Sequence, residues 1–383
     1  MIFFKWGAIR VKELCEKHFK GIEDTRCQCD IDYKLTDVLI VVMCAILCGL
    51  EELDEIITYG KEKLDFFTEH FGITRIPSES TLSRIMNMIN GDAMAGGVIG
   101  IMREMIGLSG DIIAIDGKTI CSTAKKNPIR EKLHIVTAYL TGNGVTLGQL
   151  AVNEKTNEIP VLRELLAMID ISGKIITADA MHCQKDTAKE IIEREGNYVL
   201  GLKANQECLY EEISSYIDDC VSDKTIEVET AQTTEKNKDR LEQRICYKAP
   251  DLDWLESKGE WSGLKTAFAV HRKTTTKIGQ SEETSYYITS LDLPAQNLMG
   301  IVREHWKIES MHWFLDVVFS EDDCRILNSN GQKTMNIFRK FAFAMHKMHI
   351  SGLKQKTKPS LKKNMLKALI SDDYLLNVIG TDL

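Results

Sequence analysis

Two short apolar runs, each ending in an aspartate, constrain this chain most. Residues 112–116 read IIAID and lead into Gly117-Lys118, and residues 174–179 read KIITAD. A brief apolar run closed by a turn signal marks a buried strand. An acid at the end of such a strand is held by rigid backbone and aimed into a crevice, where a metal ligand is useful. Asp-Gly is also a common turn pair, so Asp116 taken alone reads equally as a turn residue.

The elements around these runs bear on the choice. After a strand at 112–116, residues 134–140 and 145–152 read as two more strands, joined across Gly142-Asn143-Gly144 as an antiparallel hairpin. Residues 158–169 have helical spacing, with Ile159, Leu162, Leu165 and Leu166 on one face. A strand at 174–179, a helix at 186–194 and a strand at 197–203 follow. Strand, strand, strand, helix, strand, helix, strand is the order of an RNase H-like α/β layered core. In that arrangement the ends of the first and fourth strands lie side by side, and Asp116 and Asp179 occupy those two ends.

On either side the pattern changes. Residues 1–95 read as an all-α domain: 35–50 is a long apolar stretch, and Ile56, Ile57, Leu64 and Phe67 keep helical spacing. Pro77 and Ser78 before Leu82, Ile85, Met86 and Ile89 signal a helix start. The result is a helical bundle or, alternatively, a DNA-reading helix-turn-helix. Residues 205–297 form a strand-rich insertion, with an acidic helix at 207–223, a polar stretch at 230–247 and strands at 264–270 and 285–290. Residues 298–319 return to helix, with Ile301, Ile308 and Leu315 on one face and His305, Glu309 and His312 in a row. A Glu amid Trp306, Ile308, Met311 and Trp313 is costly without a partner, which a divalent cation or a salt bridge to Arg303 or Lys307 would supply. Trp306 and Trp313 read as core side chains rather than base-stacking platforms. Asp316, Glu321, Asp322 and Asp323 read as helix-terminal or salt-bridging acids. The chain thus divides into 1–95, a core over 110–204, the insertion 205–297, final core helices over 298–350, and a basic arm over 351–383.

Composition sets limits on partners and compartment. The longest apolar run, 38–50, is too short to span a bilayer, and Lys5 and Arg10 interrupt the opening, so the expected location is cytoplasmic and nucleoid-associated, with no membrane partner. Eleven cysteines invite a zinc or disulfide reading, but the closest pairs are Cys27/Cys29 and Cys44/Cys48 and no C-x-x-C occurs, which favours free thiols. A net charge of −8 argues against nucleic acid until its distribution is considered. Residues 324–371 contain no Asp or Glu but hold Arg325, Lys333, Arg339, Lys340, Lys347, Lys354, Lys356, Lys358, Lys362, Lys363 and Lys367. Such a stretch serves phosphate contact or solubility.

Six stretches carry a family resemblance: IAIDGKT (113–119), TADAMHCQKD (177–186), YVLGLKANQ (198–206), Arg240-x-Glu242-x-Arg244, TSYYITSL (284–291) and REHWKIESMHWFLDVVFSEDDCR (303–325). Through them the chain resembles the DDE transposases of bacterial insertion sequences, in the ISAs-type branch that includes the H-repeat-associated proteins. The resemblance implies Mg²⁺-dependent cleavage of element ends and strand transfer, with Asp116, Asp179 and Glu309 as both catalytic triad and metal ligands. It implies two Mg²⁺ ions per site, with Mn²⁺ able to substitute, and double-stranded DNA as partner, bound by a homodimer. The chain departs from the pattern where Cys121 and Lys238-Asp239 stand in place of expected basic or glycine residues. Lys118, His182, Gln184, Lys203, Arg240, Arg244, Arg303, His305 and His312 are the candidate DNA contacts. The alternatives are a non-catalytic DNA-binding remnant and a hydrolytic RNase H-like nuclease.

Overall fold

The computed structural model describes residues 2–26, 31–121, 132–152, 157–223, 225–237, 239–355 and 357–380. Lys238, Lys356 and the Cys27/Cys29 pair lie outside the described residues. The chain separates into two compact units. Unit 1 is Met1–Gly110, Lys118–Glu154 and Ser310–Leu383, and unit 2 is Asp111–Gly117 and Lys155–Glu309.

Six helices open the chain: α1 (Ile2–Phe19), α2 (Leu35–Leu47), α3 (Leu53–Glu62), α4 (Leu64–Phe71), α5 (Glu79–Met88) and α6 (Gly91–Ile106). Every residue of α2 from 38 to 47 is buried. A helix apolar all round belongs in a protein core or a bilayer, and no helix among the described residues is long and apolar enough to cross a membrane. The Pro-Ser signal ahead of α5 acts as expected: Ser78 is the N-cap, its hydroxyl accepting the Thr81 N–H at 3.3 Å.

The next elements follow the order expected from sequence: β1 (Ile112–Ile120), β2 (Leu133–Leu140), β3 (Val145–Val152), α7 (Glu158–Met168), β4 (Ile175–Ala178), α8 (Lys185–Glu193) and β5 (Asn197–Leu202). This is a mixed α/β core in the element order expected from the sequence. β2 and β3 pair antiparallel from His134↔Val152 to Leu140↔Val145. Gly144 turns the hairpin at φ +82°, a left-handed conformation that glycine adopts without strain. In unit 2, β4 runs parallel to both β1 and β5. Ile113, Ala114, Ile115 and Ile176 are fully buried, as strands covered on both faces require.

The insertion is strand-rich. After α9 (Glu207–Ser222) come β6 (Glu229–Asn237), β7 (Arg240–Lys248), β8 (Thr266–Thr275) and β9 (Gln280–Thr289), each antiparallel to the next. The polar stretch at 230–247 is the β6–β7 hairpin. β9 then pairs antiparallel with β5 from Val199↔Thr289 to Leu202↔Tyr286, so within unit 2 the strand order is β1-β4-β5-β9-β8-β7-β6. The insertion therefore extends the core sheet.

α10 (Ala295–Val317) turns Ile301, Ile308 and Leu315 inward as the spacing requires. Trp306 and Trp313 correct the expectation of core packing: they are 43% and 54% exposed. They fall off the buried stripe, which the three aliphatic residues already fill.

α11 (Ser329–Gly352), α12 (Leu361–Ile370) and α13 (Asp372–Ile379) complete unit 1. α11 packs against α2, α5, α6, α12 and α13, and carries an unusual load of buried polar groups. Arg339, 1% exposed, donates from Nε to Glu51 at 2.7 Å. Lys340 donates to Thr137 Oγ1 and Gln149 Oε1, both at 2.8 Å. His346 Nε2 lies 2.7 Å from the Leu47 carbonyl, an acceptor only, so it carries the proton; Nδ1 then accepts from Asn364 at 2.7 Å. Two cations of the basic stretch are thus internal partners and not surface charge.

Of the acids at and beyond the end of α10, Asp316 and Glu321 are salt-bridging, as expected. Glu321, fully buried, receives Lys118 Nζ at 3.0 Å and Asn336 Nδ2 at 2.8 Å, with Arg339 3.6 Å away. Asp316 pairs with Lys118 at 2.7 Å, and Asp322 accepts the Cys121 N–H at 2.9 Å. All nine described cysteines are free thiols.

Candidate active site

Register brings the two aspartates together. The parallel β1–β4 ladder pairs Ala114 with Thr177 and Ile115 with Ala178. Asp116 follows Ile115 within β1, and Asp179 is the first residue beyond β4. Asp116 is half-buried, and its Oδ1 accepts the Gly117 N–H at 2.9 Å. Asp179 leaves β4 in extended conformation and caps a single 3₁₀ turn, Ala180–His182. β5 passes close beneath that turn. A Cβ on Gly201 would lie 3.2 Å from the Ala180 nitrogen, tighter than most real contacts, so glycine there lets Asp179 sit where it does.

α10 supplies the other side. His305 is buried, with Nδ1 3.0 Å from Thr177 Oγ1 and Nε2 3.5 Å from Asp179 Oδ1. A carboxylate accepts only, so the ring presents an Nε2–H to it, whether the Thr177 hydroxyl donates to Nδ1 or the ring is fully protonated. That hydrogen bond is the main reason the Asp179 carboxyl is held below the ordinary carboxylate range. One turn on, Glu309 lies on the exposed side of the helix. Its carboxyl is pushed above the ordinary range, first by dehydration from the surrounding chain, then by the negative charges of Asp116 and Asp179, while His305 and Arg272 pull the other way. Neither Arg303 nor Lys307 pairs with it: Arg303 goes to Glu235 at 2.5 Å and Lys307 to Glu304 at 2.6 Å.

Two strand ends and one helix thus present three carboxylates in electrostatic reach of one another. Among the described residues no three His, Cys, Asp or Glu side chains are drawn into a single metal cage. What they form is an open acidic face. Oxygen-only donors of this kind suit Mg²⁺, which keeps much of its water and takes one or two carboxylates per ion. Mutual repulsion at Glu309 is the imbalance that a cation relieves.

The remaining sequence-predicted residues fall into three settings. Lys203 is exposed, and its charge reaches Asp179. His182 is 1% exposed, 3.3 Å from Glu158, and Gln184 bonds Gln206; His312 is buried on α10. Lys118 is taken up by Asp316 and Glu321. Arg240 and Arg244 both bridge to Glu242, which lies between them on one face of β7. Arg244 also reaches Glu235 at 3.2 Å, and Glu235 in turn holds Arg303. The three arginines form a chain through two glutamates.

Sequence reasoning passed over Thr177, Gly201, Arg272 and Glu283. Beside Asp179 lies a cavity of about 270 Å³ lined by Thr177, Gly201, Glu283, Tyr286, His305 and Trp306. Gly201 and Thr177 fall within the quoted motifs. Arg272 had no such signal, since its place depends on strand pairing.

Comparison with known proteins covers both parts of the chain. Residues 107–345 match the family model described as transposase DDE domain, and residues 16–100 match one described as DDE_Tnp_1-associated. The chain is 32% identical over 381 residues to "H repeat-associated putative transposase YhhI" of Escherichia coli (strain K12), covering 97% of this chain and 99% of that protein. It is 33% identical over 328 residues to "Putative transposase YncI" of Escherichia coli O157:H7, covering 84% of each. Among solved structures, the piggyBac transposase synaptic complex with hairpin DNA aligns at a TM-score of 0.40 and 12% identity, over 97% of this chain and 80% of that one.

Proposed function

Because the chain belongs to the transposase DDE family, we propose that it cuts the ends of its own element in DNA and joins them to a target, with Asp116, Asp179 and Glu309 holding divalent metal. The observation that carries this reading is the convergence of three carboxylates from two paired strand ends and one helix: Glu309, raised first by dehydration, is raised further by the charges of Asp116 and Asp179. Bound Mg²⁺ supplies activation of a water or 3′ hydroxyl nucleophile and stabilisation of the leaving oxygen.

The chain's own residues prepare that site. β1 and β4 fix two carboxylates on rigid backbone, and Gly201 leaves room for the turn behind Asp179. His305 keeps Asp179 ionised and turned to one side, anchored in turn by Thr177. Glu309 competes for a proton when metal is absent, so metal loading and proton release are linked there. Lys203 stands exposed beside Asp179 and is the candidate phosphate contact in open solvent. Arg240, Arg244 and Arg303 reach DNA only by leaving Glu235 and Glu242.

The test is cleavage of duplexes carrying the DNA that flanks this coding sequence, by the parent protein and by Glu309→Gln. Mg²⁺- or Mn²⁺-dependent nicks that vanish in the variant support the triad, and joined products separate a transposase from a nuclease. Nicks equal in both proteins would sink the assignment. Binding without nicks in either would favour a DNA-binding remnant.

A further inference from the structure

Strand pairing places a fourth arginine against the site. Arg272 lies on β8, directly opposite Arg244 on β7 and directly opposite Glu283 on β9. Directly opposed residues share a sheet face, and like charges in that position repel. Two guanidinium groups side by side therefore need anions near them. The protein provides Glu283, which accepts from Arg272 Nη2 at 2.6 Å, and Glu242 and Glu235 for Arg244.

α10 fixes where the Arg272 head group stands. Its guanidinium carbon lies 5.9 Å from the centre of the Trp306 ring, within cation–π range. Trp306 is three residues before Glu309, so the two are neighbours on the helix surface. Arg272 is half-buried and Glu283 well exposed, so water and a long anion can reach this pair. The charge of Arg272 is already felt at Glu309.

We propose that Arg272 is a substrate-contacting residue: its guanidinium leaves Glu283 and takes a phosphate of the DNA strand that lies against Glu309. The proposal rests on the DNA-cutting role given to the acidic triad. Glu283 holds the arginine extended in the free protein and is displaced by the strand. A planar fork matches a phosphate's two free oxygens, and Trp306 keeps the fork from swinging away.

The experiment compares parent, Arg272→Ala, Arg272→Lys and Glu283→Gln. Binding to a fluorescein-labelled duplex carrying the flanking DNA is titrated across a salt series in Ca²⁺, and cleavage is followed in Mg²⁺. Arg272→Ala is expected to bind about tenfold more weakly and to flatten the slope of log affinity against log salt by about 0.9, the loss of one phosphate. Arg272→Lys keeps the slope and loses cleavage rate. Glu283→Gln binds about threefold more tightly, a gain that misfolding cannot produce. An unchanged slope in Arg272→Ala, or no gain in Glu283→Gln, overturns the proposal. The triad reading is judged separately, by whether the parent cuts and Glu309→Gln does not.

Discussion

Replacing Glu321 by alanine is expected to destabilise unit 1 by about 3 kcal/mol, the lower end of the range for breaking a buried ion pair. Glu321 is fully buried, with Lys118, Asn336 and Arg339 around its two oxygens. Burial alone would push its carboxyl up, but Arg339, Lys118 and the Asn336 hydrogen bond more than offset this and hold it below the ordinary range. The cost stays at the lower end because neither cation is orphaned. Arg339 keeps Glu51 and Lys118 keeps Asp316, both at 2.7 Å. Glu321→Gln keeps the shape and an acceptor for Asn336, so roughly 1.5–2 kcal/mol is expected. The sign with pH follows from the depressed carboxyl: its contribution is complete above the unfolded value of about 4.3 and is lost as pH falls through the folded one. Parent and variants should therefore converge in acid. The assay is hydrogen exchange of the α11 amides across a urea series, because a chain of two units is poorly described by one global transition. A Glu321→Ala protein within about 1 kcal/mol of the parent at neutral pH would refute the reasoning, since dehydration of the carboxylate would then cancel its ion pairs.

Burial pushes the Lys340 amine down to about 7. The unfolded chain then binds more protons between pH 7 and the free-lysine value of about 10.4, so stability should rise over that window; Lys340→Met should flatten the rise, and an identical pH profile in both would count against it. Glu309 binds its proton more tightly than an ordinary carboxylate, so Mn²⁺ affinity measured by calorimetry should climb as pH rises through the range just above that of free glutamate. In Asp116→Asn one repelling charge is gone and the climb should shift to lower pH; a climb at the same pH in both proteins would show that Asp116 does not act on Glu309.

Much of the core was readable because its signals are local. The hairpin at β2–β3 needed only two apolar runs and a Gly-Asn-Gly turn, and the aspartates stood out as acids closing apolar strands. The stripe of Ile301, Ile308 and Leu315 oriented α10 correctly. The two tryptophans were misjudged because bulk and apolarity suggest burial, although the helix had no inward positions left for them. Arg339 and Lys340 counted as surface charge in the composition, since nothing local reveals that Arg339 meets Glu51, 288 residues earlier. Arg272 escaped notice because its neighbours sit on other strands and on α10. Pairing across the insertion is what places it.

The order of the three acids along the chain has a consequence for synthesis. Asp116 and Glu309 are 309 − 116 = 193 residues apart, with the whole insertion between them. At translation rates of roughly 5–20 residues per second, about 10–40 s pass between the appearance of the first acid and the last. A nascent or prematurely ended chain lacking α10 carries both strand-end aspartates but not the third carboxylate. Under the proposed triad, the capacity to cut DNA would arrive late, after the segments that extend the sheet have been made, and a ribosome that stops before α10 would release a product without the third carboxylate.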